Sequence, residues 1–396
     1  MKRRTFFPAL AVGSVTACST APLAPAGGAI RITGVEVFPI RVNSRGGWVI
    51  IRLLTDAGLT GLGDISHSGR GDQAVGKLHE YVELMKGRSV YEIEWLRRRT
   101  WPEYAEFRRA TSCAFSAIEQ AMLDIQGKAA GVPCYELFGG KLHEEIRNYA
   151  NINRSTDDRT PEGFAKVAQG AVDKGFRAIK MASFDGMPRN GSAAEIETHT
   201  QLGIDCIRAV REVLGPDGDL LVDAHSNFDL ERGLDLLKRL EPLNLFWLEE
   251  VARPYEIFHP IHKAAPMPIA GGEGIFGVEE FHKYIAADLV ETVMPDVKYC
   301  GGMTELKKIS AMAEGAGLMC APHGPASPIG NMAAAHVCMS LPNFQILEFS
   351  HGDAPWRAEL TEPPEDLRPG GMLQIPDRPG LGYELNMKTV EARKAD

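Results

Sequence analysis

Between Leu221 and Glu348 the chain repeats one pattern, a short apolar run that ends on an acid or a histidine. Leu-Leu-Val-Asp-Ala-His ends on Asp223 and His225, Leu-Phe-Trp-Leu-Glu-Glu on Glu249 and Glu250, and Pro-Ile-Ala-Gly-Gly-Glu on Glu273. Asp296, His323 and Glu348 close the next three runs. Asp223, Glu249, Glu273, Asp296, His323 and Glu348 stand 26, 24, 23, 27 and 25 residues apart. That interval is too long for a hairpin. It fits strand, turn, helix, turn, at roughly 30 residues per unit in a barrel of about 250 residues. Parallel strands deliver all their C-terminal ends to one mouth, so these side chains converge there. The expected fold class is α/β, a TIM-like barrel of seven or eight β/α units whose mouth is an active site.

The chain divides around that barrel. Residues 1–26 read as an export leader and are kept out of the fold. Lys2-Arg3-Arg4 precedes an apolar stretch, Phe6 to Val15, that is too short for a bilayer span of about 20 residues. Arg3-Arg4-Thr5-Phe6-Phe7 resembles a twin-arginine signal, and Val15-Thr16-Ala17-Cys18 a lipobox with Cys18 as lipid anchor. Cleavage after Ala26 is the other possibility. The expected location is therefore outside the cytoplasmic membrane, in the periplasm or anchored to it.

Residues 27–142 read as an α+β capping domain. Ile30 to Ile40, Gly47 to Thr55 and Gly61 to Ile65 form an antiparallel meander. Helical patterns follow near 72–86, 90–107 and 111–130. The polar loop Ser66 to Asp72 is a candidate lid, with His67 and Arg70 as substrate contacts. The barrel occupies 143–350, opening with Ile146 to Asn151 and Gly175 to Lys180, then an extended loop from Met181 to Thr198. A proline-rich segment, 351–396, returns to pack on the capping domain.

A net charge of −9 with no run of Lys or Arg argues against nucleic acid and anionic membranes. Six cysteines outside the leader lie singly in apolar contexts and read as buried free thiols. A homo-oligomer is expected, of unspecified number.

Three carboxylates on consecutive strands, Asp223, Glu249 and Glu273, suit a hard divalent cation with oxygen ligands. Without one they would repel and be partly protonated. Glu250, next in sequence to Glu249, points to the other face as a salt-bridge partner. An aspartate accepting from a histidine Nδ1–H fixes the tautomer and makes Nε2 more basic, so Asp296 and His323 form a general base. Asp223 and His225 are two apart on a strand, so they face the same way. His225 then leans over the site from the opposite side. Lys180 supplies a cation at the end of the second barrel strand. Lys298 could point inward, but it already sits at the Cys300-Gly301-Gly302 turn.

With those residues in view, the chain from about Ile30 to Met387 resembles the enolase superfamily, in particular its mandelate racemase group. The marks are the triad Asp223, Glu249, Glu273; Pro295-Asp296 with Gly301-Gly302; His323; and Glu348. Leu123-Asp124-Ile125-Gln126-Gly127-Lys128, Leu137-Phe138-Gly139-Gly140 and Pro379-Gly380-Leu381-Gly382 also look like that family. The resemblance implies Mg²⁺, for which Mn²⁺ can substitute, and removal of the proton α to a carboxylate to give a metal-held enediolate. Racemases of the group carry Lys-x-Lys on the second strand, where this chain has Lys180 and Ala182, and asparagine where it has His225. Asp-x-His and Ala-Pro-His-Gly-Pro look more like acid-sugar dehydratases of the galactonate dehydratase kind. That resemblance implies a sugar-acid substrate, dehydrated to a 2-keto-3-deoxy acid with His323 as base and His225 as acid. Lys180 would hold the substrate carboxylate, and Glu348 would hydrogen-bond an oxygen that gains charge. The alternative on this scaffold is a racemase, epimerase or cycloisomerase.

Overall fold

The computed structural model describes residues 30–66, 71–188 and 190–395. The leader expected over 1–26, with Cys18, lies outside the described residues, as do His67 and Arg70. Among the described residues no helix is long and apolar enough to cross a membrane.

The first unit is the expected antiparallel meander, β1 (Ile32–Asn43), β2 (Gly46–Thr55) and β3 (Thr60–Asp64), in that spatial order. Helices α1 (Gly71–Met85), α2 (Ile93–Thr100), α3 (Tyr104–Phe107) and α4 (Arg109–Ala130) cover it. The helix expected over 90–107 is broken, because Pro102 lacks an N–H and starts a 3₁₀ turn at Trp101–Glu103. Helix α4 is buried along most of its length and lies directly on β3. A Cβ on Gly61 or Gly63 would come within 2.0 or 2.1 Å of the carbonyls of Ala121 and Ala117, so only glycine permits this approach.

Eight parallel strands form the barrel. They are β4 (Ile146–Asn151), β5 (Ala178–Met181), β6 (Asp219–Asp223), β7 (Trp247–Glu249), β8 (Ile269–Gly271), β9 (Thr292–Val293), β10 (Met319–Cys320) and β11 (Leu347–Ser350). Neighbours pair in sequence order from β4 to β10, and β11 pairs with β4. The seam between β10 and β11 is closed by Gln345 N–H donating to the Cys320 carbonyl at 2.9 Å. Outside lie α5 (Pro161–Asp173), α6 (Ala193–Leu214), α7 (Leu230–Leu240), α8 (Tyr255–Ala264), α9 (Gly277–Ala286), α10 (Gly302–Gly315) and α11 (Pro328–Cys338). Helix α6 begins inside the loop expected to run from Met181 to Thr198. Its start is a reciprocal cap between Ser192 and Glu195, an S-x-x-E signal present in the sequence.

Tyr149, Ala178, Leu221, Trp247, Ala270, Met294, Ala321 and Ile346 form one cluster inside the barrel, large rings beside small residues. This plug is the floor of the site. Trp247 Nε1–H donates to Glu249 Oε2 at 3.2 Å, so the packed interior also orients a carboxylate of the mouth.

Two buried acids of α4 fix the cap over the barrel. Glu119 accepts from the N–H groups of Met303 and Thr304 at 2.8 and 2.9 Å, capping α10, whose own N-cap is Gly301. Asp124 accepts from the N–H groups of Leu62 and Leu381, joining β3 to the C-terminal segment. Gly380 has φ +73, and a Cβ there would lie 2.0 Å from Asp124 Oδ1. The chain end therefore packs on α4 and β3, and finishes with α12 (Met387–Ala392).

Candidate active site

Asp223 and Glu249 are the last residues of β6 and β7, and Glu273 lies two past β8. One carboxylate oxygen from each lies within 4.8 Å of the others. Asp223 and Glu249 are buried and Glu273 nearly so. Every donor is a hard oxygen, as a divalent cation of the alkaline-earth kind requires. Burial, with the charge of Asp223, pushes the Glu249 carboxyl well above its ordinary value despite Lys180. Each acid already has a nitrogen close by, the two imidazoles being charged only when protonated. His225 Nε2 is 2.9 Å from Asp223 Oδ2, Lys180 Nζ 3.0 Å from Glu249 Oε1, and His323 Nε2 3.0 Å from Glu273 Oε2. A concentrated positive charge fits where these three acids meet.

Glu250 turns away, with φ +41, and pairs with Arg253 at 2.5 Å. Lys180 also stands 3.4 Å from Glu348 Oε1 and 3.9 Å from Asp223 Oδ2. Burial disfavours its charge, but those carboxylates outweigh burial and raise its pKa. Glu348 accepts from Gly324 N–H at 2.9 Å and from the Asn151 side chain. Burial would raise its pKa, yet Lys180, His323 and these donors hold it at about 2.

His323 Nδ1 is 2.8 Å from Asp296 Oδ2, leaving Nε2 toward the acids. Burial alone would lower the pKa of this imidazole; Glu273, Glu348 and Asp296 reverse that and bring it to about 9. Lys298 takes the inward direction. It is buried, with Nζ 3.6 Å from Asp296 Oδ2 and 3.4 Å from the Pro325 carbonyl. Burial raises the pKa of Asp296, but Lys298 and His323 hold it below its usual value.

His225 reaches the mouth by another route than expected. Strand β6 stops at Asp223, and His225 and Ser226 have φ +45 and +55, so a left-handed turn aims the imidazole rather than strand alternation. Its Nδ1 is 2.5 Å from Asp185 Oδ1. Asp185 is the residue that the sequence hid, because Asp185-Gly186 reads as an ordinary turn. Arg45, Arg109, Arg154, Asn151, Asn153 and Tyr299 also line this cavity of about 240 Å³ and carry no local mark in the sequence.

Counting strands around the barrel, His225 follows the third and His323 the seventh. Two acid–base groups thus face each other across the carboxylate triad. Residues 163–389 match the enolase C-terminal domain-like family, and residues 36–139 the mandelate racemase/muconate lactonizing enzyme N-terminal domain.

The chain belongs to the mandelate racemase/muconate lactonizing enzyme family.

It is an enzyme of the enolase superfamily, and that membership implies a divalent metal site, for which the triad is in place. A D-xylonate dehydratase of Haloferax volcanii is 29% identical over 385 residues, covering 94% of this chain and 91% of that protein. A D-mannonate dehydratase of a Sphingomonas strain is 30% identical over 366 residues, covering 86% and 89%. The solved mandelate racemase/muconate lactonizing enzyme-like protein of Rubrobacter xylanophilus is 29% identical, with a TM-score of 0.84 over 93% of this chain and 98% of that one.

Proposed function

We propose that this family member is a Mg²⁺-dependent acid-sugar dehydratase, forming a 2-keto-3-deoxy acid. The observation that carries the reading is the pair of aspartate-backed histidines on opposite sides of the triad. The relatives named as dehydratases support the same class.

A cation held by Asp223, Glu249 and Glu273 would supply Lewis acidity, withdrawing charge from the substrate carboxylate so that its α-proton becomes acidic. His323 Nε2 takes that proton, with Asp296 holding the tautomer. Lys180 meets the substrate carboxylate and balances part of its charge. A β-hydroxyl is a poor leaving group, so it departs only when protonated. His225 Nε2 gives that proton, and Asp185 keeps the ring aimed through Nδ1. The α C–H and β C–O bonds break, water leaves, and the enol tautomerises to the ketone. Each positioned acid or base contributes about 10² to 10⁴ in rate. Glu348 donates to a substrate oxygen only in its protonated form, so that role requires the substrate to draw Lys180 away from it.

Ala182, buried one residue past the end of β5, cannot ionise, and nothing among the described residues of the site favours the racemase alternative over dehydration. The test is a screen of acid sugars for 2-keto-3-deoxy product with Mg²⁺ and after EDTA. Product that needs the cation, and is lost in Asp223→Asn, Glu249→Gln and Glu273→Gln, supports the reading. Full activity of protein shown metal-free by elemental analysis, or α-hydrogen exchange without loss of water, overturns it. We also propose that the enzyme is exported, on the strength of Lys2-Arg3-Arg4 and the apolar run after it. Arg3→Lys with Arg4→Lys should retain it in the cytoplasm if the route is the twin-arginine one; unchanged fractionation of that variant removes that route, and wild-type chain confined to the cytoplasm overturns export.

A further inference from the structure

The metal site explains one anionic end of a substrate. The outer part of the same cavity is built for another. Arg45, from the turn between β1 and β2, Arg154, from the loop after β4, and Arg109, the first residue of α4, all line it. Arg159 stands just behind. Apart from the triad acids Asp223 and Glu273, which line the same cavity, the acids beside these arginines are Asp185 and Asp353.

Two of the lining arginines have a structural role. Arg154 Nε is 3.3 Å from Asp353 Oδ2, and its Nη2 donates to the Arg45 carbonyl. Arg45 donates to the Asn153 carbonyl at 3.0 Å and stands 3.6 Å from Asp185, which is shared with His225 and Arg159. These contacts clasp the cap to the barrel. Arg109 has no such explanation. It is half-buried, and its guanidinium lies 4.5 Å over the Tyr299 ring, with no carboxylate partner among the described residues. A Cβ on Gly274, next to Glu273, would lie 2.9 Å from Arg109 Nη2, so the fork hangs beside the triad. A guanidinium presents five N–H donors in a planar fork that matches a carboxylate. In the proposed reaction a cation held by the triad, with Lys180, would already serve the carboxylate that reacts. A sugar acid with one carboxylate leaves Arg109 without work.

We propose that the substrate is an aldaric acid, carrying a second, terminal carboxylate that Arg109 holds. This rests on the acid-sugar dehydratase reading and names the substrate class within it. A cavity of about 240 Å³ suits a short-chain diacid.

The test uses the Mg²⁺-loaded full chain and matched pairs of acids, gluconate with glucarate, galactonate with galactarate and xylonate with xylarate. 6-Phosphogluconate is included as the other terminal oxyanion. A diacid should have the highest kcat/KM. Arg109→Gln should lower the diacid-to-monoacid ratio of kcat/KM by about 10- to 100-fold, as befits a lost charged hydrogen bond. Arg109→Lys should fall between. A monoacid as best substrate, or an Arg109→Gln variant with an unchanged ratio, overturns the proposal, and so does 6-phosphogluconate as best substrate. If no acid in the panel loses water, the dehydratase reading fails separately, and binding decides. A diacid that raises Tm more than its monoacid, with the difference abolished in Arg109→Gln, supports the second carboxylate subsite. Equal shifts overturn it.

Discussion

The two histidines of the mouth are each backed by an aspartate through Nδ1, yet they are built differently. Asp296 and His323 both lie just past barrel strands, Asp296 is fully buried, and Lys298 stands behind it. His225, two residues past β6, and Asp185, four past β5, form the more open pair, with the His225 side chain 36% exposed on a left-handed turn. Side chains locked by packing and by hydrogen bonds behind them are positioned more precisely than half-exposed ones. The difference suits the two tasks. In the proposed dehydration the base would meet one α-hydrogen beside the triad, whereas the acid would reach a hydroxyl one carbon further out and let water leave.

This contrast sets the expected order of effects. On the proposed mechanism His323→Asn removes the first step, and turnover should fall by about 10⁴, the top of the range for a lost base, in an assay for 2-keto-3-deoxy product. His225→Asn should lower dehydration by about 10² to 10⁴. A wild-type rate would make His225 a bystander and leave His323 as both base and acid. Asp185→Asn keeps the imidazole but loosens its aim, so a smaller loss of about 10- to 100-fold is expected, in kcat more than in KM. If Asp185→Asn were worse than His225→Asn, the aspartate would have a part of its own.

A third histidine gives the smallest effect, and on stability. His336 is buried where three segments meet. Its Nδ1 accepts from Tyr135 N–H and its Nε2–H donates to the Leu381 carbonyl, each at 3.2 Å, an arrangement only the neutral ring satisfies. Burial holds its pKa at about 4, against 6.5 for the free side chain. Between those values the unfolded chain binds the proton and the folded one does not. The stability present above pH 6.5 is therefore lost as pH falls toward 4, by at most about 3 kcal/mol. Melting curves should show this slope, and His336→Gln should flatten it. His351, also held at about 4 by burial, adds in the same sense.

What the sequence reveals follows the same contrast. A parallel strand buried on both faces reads as an apolar run, and its end is where a polar group emerges, so the triad, Asp296, His323 and Glu348 are all legible. The meander and α4 are legible from their periods, and the break at Pro102 is a local signal overridden by a longer pattern. Asp185 is not legible, because an Asp-Gly turn in a loop has no period to place it. His225 is found for the wrong local reason, since strand alternation does not extend past Asp223. Arg109 gives no local sign at all. It meets the site only because α4 lies across the barrel mouth, a tertiary fact held by Glu119 and Asp124.

The division of labour between the two histidines is tested most directly by exchange of the substrate's α-hydrogen with D₂O, followed by NMR beside product formation. In His323→Asn both exchange and product should vanish, because no α-proton is removed. In His225→Asn exchange should persist while product falls, because the proton can leave and return although the hydroxyl cannot depart. Exchange that survives in His323→Asn and is lost in His225→Asn would contradict the account and reverse the two roles.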